Sequence, residues 1–337
     1  MKTLALDVGG ANLKAADGQG FAVSHEFALW RTSERLPGAL AELIAASPAA
    51  DSFVATMTGE LADCYETKAQ GVAAIVEALA VATAGRELRI YLTDGSFVKP
   101  EVAMSRPLAT AASNWHALAR FAARFLPDGN GFLIDLGSTT CDIIPLVARL
   151  PATLGFTDPD RLVANELLYT GVVRSPVCAV TASLPWRGLQ CATAHELFAT
   201  TLDAYVLLGD LPEDPHSRAT ADGRPGTRFA CRDRLARAIC ADRDMFSDDD
   251  AQAAAATIRD AQSERIAIAV QNVMSRANAK PQTVVISGQG EFLIRRVMEQ
   301  IQPDVELVSL AVQLGPAVSQ CAPAHAVAVL AQELSLK

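Results

Sequence analysis

No apolar run in the 337-residue sequence reaches the length of about 20 residues that a bilayer-spanning helix requires. The opening stretch from Met1 to Gly10 sets one lysine before a short apolar run and passes straight into a glycine turn. It has no cleavage-like site, so it reads as a first strand and not as a signal peptide. The seven cysteines (Cys64, Cys141, Cys178, Cys191, Cys231, Cys240 and Cys321) form no CxxC pair. Their odd number and scatter argue against a zinc site or a disulfide framework, and a reducing cytoplasm is the simple reading. Cations are outnumbered, with 29 lysines and arginines against 38 acids and a formal net charge of −9. A sequence-independent nucleic-acid surface needs clustered cations to replace counterions. Neither nucleic acid nor membrane is therefore expected as a partner, whereas a small phosphorylated molecule in a local basic pocket is. Oligomeric state is not written in the sequence, and a homo-oligomer stays open.

Half of the residues are apolar, enough for a sizeable core, and the length suits two lobes. Thr3 to Asp7 reads as a strand, and Leu13 to Ala16 and Phe21 to Phe27 as a hairpin. Helices are expected at Pro37 to Ala46, Lys68 to Ala84 and Thr110 to Phe125, with strands at Ser52 to Thr56 and Leu88 to Thr93. At Gly131 the pattern restarts. Phe132 to Asp135 is an acid-ended strand, a small-residue turn follows, and Asp142 to Val147 is the returning strand. Such a restart implies two lobes of related topology. The first would span residues 1–128, completed by a closing helix at 323–337; the second would span 129–322 with an inserted segment at about 149–280. Within the insert, strands are expected at Val172 to Val177 and Cys178 to Ala182, a helix at Ala194 to Leu208, a surface loop at Gly209 to Arg228, and a long helix at Asp249 to Asn278. A strand at Thr283 to Ile286 and a helix at Phe292 to Gln300 complete the reading.

Three turns carry the chemistry. The first, Asp7-Val8-Gly9-Gly10-Ala11-Asn12-Leu13-Lys14, sets glycines after a strand, where backbone N–H groups can approach phosphate oxygens. Its acid suits Mg²⁺, which takes one or two carboxylates together with phosphate oxygens. An ordinary hairpin with a solvated aspartate accounts for this turn equally well by itself. The second turn, Asp135-Leu136-Gly137-Ser138-Thr139-Thr140-Cys141-Asp142, repeats the acid at the same offset from its glycine and adds hydroxyl donors. The third, Ile286-Ser287-Gly288-Gln289-Gly290-Glu291, joins a strand to a helix through bare backbone.

Together the three turns resemble the phosphate-1, phosphate-2 and adenosine motifs of the actin/sugar-kinase/Hsp70 ATPase superfamily. The resemblance implies an α/β fold of two ribonuclease-H-like lobes around a central cleft. Four further segments resemble the hydantoinase A/oxoprolinase-like branch, and within it the tetrahydromethanopterin-linked C1-transfer pathway proteins. They are Thr56 to Asp63, Ala111 to Ala117, Asn165 to Val172 and Glu196 to Tyr205. The sequence departs from that pattern at Cys141, where threonine is expected, and at Asn165, where glycine is expected. The resemblance implies a transferase in methylofuran biosynthesis. An aminomethyl-furanmethyl diphosphate would condense with the phenol of a glutamylated tyramine or tyrosine, forming an aryl ether and releasing diphosphate. An ATP-dependent small-molecule kinase and a hydantoinase-like ATP-dependent hydrolase are the competing readings of the same fold.

On this reading Asp7 and Asp135 are the metal and catalytic acids. Gly9, Gly10, Asn12, Lys14, Gly137, Ser138, Thr139, Thr140, Gly288 and Gly290 are the phosphate-binding set, although for Lys14 by itself a solvated side chain is the favoured reading. Asp94 ends a strand and offers a carboxylate to a phenol, or simply forms the turn before Gly95. Thr58 and Glu60 are substrate candidates, with Glu60 set to meet an amine or a metal-bound water, or to serve as a first-turn helix acid. Asn114 and Trp115 face either the cleft or the core. Asp203, an acid among apolar helix residues, needs a buried partner and is a further substrate candidate.

Overall fold

The structure is a computed structural model that describes residues 2–277 and 280–335. Two mixed sheets share one plan. In the first, β1 (Thr3–Val8), β2 (Asn12–Ala16), β3 (Ala22–Glu26), β4 (Ser52–Met57), β5 (Glu87–Tyr91) and β6 (Phe97–Val98) lie in the order β3-β2-β1-β4-β5-β6. Strands β2 and β3 return antiparallel, whereas β4 and β5 add in parallel. The second lobe contributes β7 (Gly131–Leu136), β8 (Cys141–Val147), β9 (Leu150–Pro151), β10 (Leu167–Leu168), a separate hairpin of β11 (Ser183–Trp186) and β12 (Leu189–Ala192), then β13 (Thr283–Ser287) and β14 (Glu306–Ser309). Its main sheet runs β10-β8-β7-β13-β14, with β13 and β14 again parallel. Position for position this is the plan of the first sheet, with the two-residue β10 in the place of β3. The fold is therefore the two-lobed ribonuclease-H-like architecture of the actin/sugar-kinase/Hsp70 superfamily.

Side chains alternate across a strand, and that alternation decides what each face carries. Leu4, Leu6 and Val8 pack outward beneath the helices Leu36–Ala45 and Lys68–Ala82. Phe132, Ile134 and Leu136 do the same beneath Asp248–Arg276 and Glu291–Ile301. Each fully buried aliphatic side chain of this kind contributes roughly 1.5–3 kcal/mol. The opposite faces, Ala5 and Val54 in one lobe and Leu133, Ile144 and Val285 in the other, share a single core with Trp115, Leu118, Ala326 and Leu330. The helices Asn114–Ala122 and Ala322–Ser335 thus lie between the sheets. By the same alternation, Asp7, Lys14, Thr56, Asp135, Asp142 and Ser287 all project toward the inter-lobe side.

The insert departs most from expectation. Residues 172–174 form no strand, because their N–H groups bond the carbonyls of Gly137 and Ser138. Pro176 then leads into the short helix Val177–Val180. The strands fall later, where Arg187 and Gly188 both take positive φ (49° and 78°), as a tight hairpin turn requires. The expected Ala194 helix begins only at Thr201, after a capping box made by Thr200 and Asp203. The helix Arg228–Arg237 was not foreseen, since its run of arginines hides an apolar face of Ala230, Cys231, Leu235 and Ala236. Ala112, at φ 47°, ends the preceding helix, so the expected Thr110 helix starts at Asn114. The expected ends of the long helix at Asn278 and of the closing helix at residue 337 lie outside the described residues.

Helix Asp248–Arg276 ties the insert to its lobe. Ala251, Ala254, Ala255 and Ile258 sit in the core of the insert, and Ile266, Ala269, Val270 and Val273 lie under the second sheet. Asn165, standing where glycine is expected, holds a left-handed φ of 57°, which asparagine tolerates.

Candidate active site at the inter-lobe cleft

The two acid-bearing turns are built alike. In the first, the Gly9 N–H donates to the Asn12 carbonyl at 3.0 Å; in the second, the Gly137 N–H donates to the Thr140 carbonyl at 2.9 Å. In both, the glycine lies two residues past the acid and its acceptor five. The loop carbonyls are consumed by protein donors. Thr58 and Gly59 hold that of Val8, Leu29 that of Gly10 and Phe27 that of Ala11; Val172 holds that of Gly137, and Val173 and Arg174 that of Ser138. With the carbonyls tied back, the loops offer their amide side. Gly10 has open space where a Cβ would stand, and Gly137 meets only the Thr140 carbonyl there, at 3.8 Å. Such a loop favours an anion. The hydroxyls of Ser138 and Thr139 lie 3.3 Å apart on the second loop, and Thr58 holds an exposed hydroxyl beside Gly9.

The second loop rests on a buried brace. Gly171 packs so closely on the Ser138–Thr139 peptide that a Cβ would lie 2.3 Å from the Thr139 nitrogen. Its carbonyl accepts from the Thr201 hydroxyl at 2.8 Å and from the Gln262 amide at 2.9 Å, and Tyr205 donates to Gln262 in turn. Gln262, buried on the long helix, was missed by the sequence reading. A lone amide on an otherwise apolar helix face was the available signal.

Asp7 faces Lys14 across β1 and β2, and Asp135 faces Asp142 across β7 and β8. Burial pushes the Asp7 carboxyl up, and Lys14 partly offsets this. Asp135 is enclosed apart from its opening to the cleft. Burial and the neighbouring Asp142 push it up to about 6, against the opposing influence of Ser287 and of Lys14 from the other lobe. Lys14, half-buried, thus stands close enough for its charge to bear on both acids. One oxygen of Asp7, Oδ1, is buried without a partner. An orphaned buried carboxylate oxygen costs free energy unless a cation or donor meets it, and this is the observation that fits a hard metal ion. No group of three or more His, Cys, Asp or Glu side chains suited to a metal occurs among the described residues. Asp7 and Asp135 each turn a carboxylate toward the inter-lobe side, and Mg²⁺ takes one or two carboxylates together with the oxygens of its ligand.

Asp142 and Arg161 were not among the candidates read from the sequence. Arg161, only 1% exposed, donates to Asp142 at 2.7 Å and stacks 4.0 Å over the Trp115 ring. Of the two sides open to it, Trp115 takes the core, its ring buried and already covered by Arg161, while Asn114 opens its helix half-buried beside it. Cys141 is buried, with its thiol pushed well up by desolvation, and is no nucleophile.

Three other expectations change. Asp94 is not placed as a base. Partial burial raises it, but donors from Ser96 and Arg106 prevail and hold it at about 2, so it has little basicity to offer. Asp203 is not a substrate residue. It lies in the insert, 1% exposed, capping the Thr201–Leu208 helix and pairing with Arg234 at 2.8 Å. Gly288 and Gly290 do not face open space. Side chains there would strike Leu136 of the neighbouring strand, so both serve the approach of the third turn to β7, with Asp135 Oδ1 2.8 Å from the Cβ position of Gly288.

The sequence matches the hydantoinase/oxoprolinase family over residues 51–334, and the chain belongs to that family. It is similar to the (4-{4-[2-(gamma-L-glutamylamino)ethyl]phenoxymethyl}furan-2-yl)methanamine synthase of Methanocaldococcus jannaschii, with 33% identity over 333 residues covering 98% of this chain and 97% of the relative. A protein of the same name from Methanococcus vannielii is 30% identical over 213 residues, 62% of this chain and 95% of the relative. Among solved structures, component A of the Acidaminococcus fermentans (R)-2-hydroxyglutaryl-CoA dehydratase aligns over 100% of both chains at 13% identity and a TM-score of 0.49.

Proposed function

We propose that the protein is a transferase of methylofuran biosynthesis that joins a furanmethyl diphosphate to the phenol of a glutamylated tyramine or tyrosine. The observation that carries this reading is the 33% identity to the Methanocaldococcus synthase, which runs through 98% of the chain and so through both acid-bearing hairpins. In the reaction, the bond from the furanmethyl carbon to the diphosphate oxygen breaks and a bond to the phenol oxygen forms. The phenolic proton passes to the departing diphosphate.

A furanmethyl carbon tolerates positive charge, so the barrier lies mainly in the loss of the diphosphate. The amide faces of the Gly9–Asn12 and Gly137–Thr140 loops suit its oxygens, and Lys14 would lie against them as a fixed cation. Asp7 and Asp135 would hold Mg²⁺, which when bound neutralises charge on the leaving group. The phosphate-loop fold then serves a reaction that consumes no ATP. A cytoplasmic setting fits the phosphorylated substrates, and no helix among the described residues is long and apolar enough to cross a membrane.

The test incubates the purified protein with Mg²⁺, the aminomethyl-furanmethyl diphosphate and glutamyl-tyramine, and follows products by mass spectrometry. Ether and diphosphate without ATP are expected. Turnover of ATP to ADP with no reaction of the furan compound would overturn the reading in favour of a kinase or hydrolase.

A further inference from the structure

Glu60 stands out among the groups that the phosphate site does not use. It is 1% exposed, and its Oε2 is buried without a hydrogen-bond partner. It sits just past the C-terminal end of β4, where Thr58 and Gly59 hold the Val8 carbonyl next to Asp7. Gly71 of the adjacent helix packs on its backbone so closely that any side chain there would collide, so the position of Glu60 is fixed. The nearest cation is Lys68, whose Nζ is 3.7 Å from Glu60 Oε1, an ion-pair distance and not a hydrogen bond. Lys68 instead donates at 2.6 Å to Asp158, which reaches over from the second lobe. Asp142, itself bonded to Arg161, lies close enough for the charge of Asp158 to raise it. The neighbourhood thus holds three carboxylates, Glu60, Asp158 and Asp142, against two cations, Lys68 and Arg161. Asp142 and Asp158 are each hydrogen-bonded to a cation, which leaves Glu60 as the one of the three carboxylates without one. Burial accordingly raises the Glu60 carboxyl, against the opposing effects of backbone donors and Lys68.

We propose that Glu60 is the counter-ion for the primary ammonium of the furan substrate, with the Lys68–Asp158 pair closing over it from the two sides of the cleft. The inference rests on the synthase reading, in which the furan carries a methanamine group, as the product named for the archaeal relative does. A primary ammonium supplies such a cation, with up to three donors. The Lys68–Asp158 bond keeps Lys68 from taking that place itself. Glu60 is in this sense a specificity residue, distinguishing an aminomethyl furan from one that carries a methyl group.

The test compares two donors, the aminomethyl-furanmethyl diphosphate and its methyl analogue. Wild type should favour the amine in kcat/KM by ~10- to 100-fold, the scale of a buried hydrogen-bonded charge. In Glu60→Gln the ratio should collapse toward unity, and Glu60→Asp should recover part of it. Asp158→Asn, at a part-exposed position, frees Lys68 to swing onto Glu60 and should lower the same ratio. A Glu60→Gln protein that retains the wild-type ratio, or loses both donors in equal measure, overturns the proposal. Calorimetric binding of the two corresponding furanmethyl monophosphates separates this inference from the synthase reading. If wild type makes no ether yet binds the amine more tightly through Glu60, the recognition site stands and the synthase reading falls. If it binds the two equally, the recognition site falls, whatever the turnover.

Discussion

The two hairpins on either side of the cleft share a backbone and differ in one decisive residue. Each carries an acid at the end of its first strand, a glycine two residues on, and an N–H bond to the carbonyl five residues past the acid. Opposite Asp7 stands Lys14, whereas opposite Asp135 stands Asp142. The first hairpin is a neutral pair. The second concentrates like charge and draws its compensation from outside, from Arg161 behind Asp142 and from Lys14 across the cleft. The duplicated topology thus gives a fixed geometry on which the charges are distributed unequally. The lobe that lacks its own cation needs either the other lobe or a ligand.

Removing the outside support of the second hairpin should have the largest effect. Arg161→Met strands Asp142 among buried atoms and strips the cover from Trp115. It should cost about 3–5 kcal/mol in denaturant titrations. Adding Asp142→Asn should restore at least half of that loss. A double variant no more stable than the single one would mean that Arg161 is retained for its stacking and not for its charge. Next come the acids that define each hairpin. Asp7→Asn should lower kcat by ~10²–10³, the scale of losing one electrostatic contact to a developing charge, with an unchanged circular dichroism spectrum. Asp135→Asn should fall in the same range. If one variant were inactive and the other close to wild type, the metal and leaving group would belong to a single lobe.

The sequence showed the hairpins but not this asymmetry. The strand-end acids and small-residue turns were legible because strand period, glycine and acid all occur within eight residues of each other in Asp7 to Lys14 and Asp135 to Asp142. The inter-lobe side of Asp7 and Asp135 follows from the same period once the apolar neighbours are assigned to faces. Arg161 was not legible. It meets Asp142 from a short helix 19 residues away and Trp115 from the other lobe, and a lone arginine carries no local sign of burial. Asp94 misled for the opposite reason. The pattern of strand, acid and glycine is shared with the Asp7 and Asp135 hairpins, but Ser96 and Arg106 satisfy this acid, and only packing reveals that. In the insert, hairpin and helix boundaries were set by Pro176, by the Arg187–Gly188 turn and by the Thr200 cap, local features that outweighed the apolar runs.

The smallest effect is the most direct reading of the charge imbalance. Asp135 titrates at about 6 in the fold against an ordinary 3.8, so between those values the native state holds more protons than the unfolded chain. Stability must then decline as pH rises through that window, since it falls wherever the native form binds the extra proton. Asp135→Asn removes the titration. Without Mg²⁺ or phosphate, the variant should match wild type below the window and exceed it above by about 1–2 kcal/mol, after allowance for the opening of Asp135 to the cleft. Calorimetric Tm against pH checks this. Parallel curves for the two proteins would mean that Lys14 already neutralises Asp135, and that the two hairpins are electrostatically alike despite Asp142.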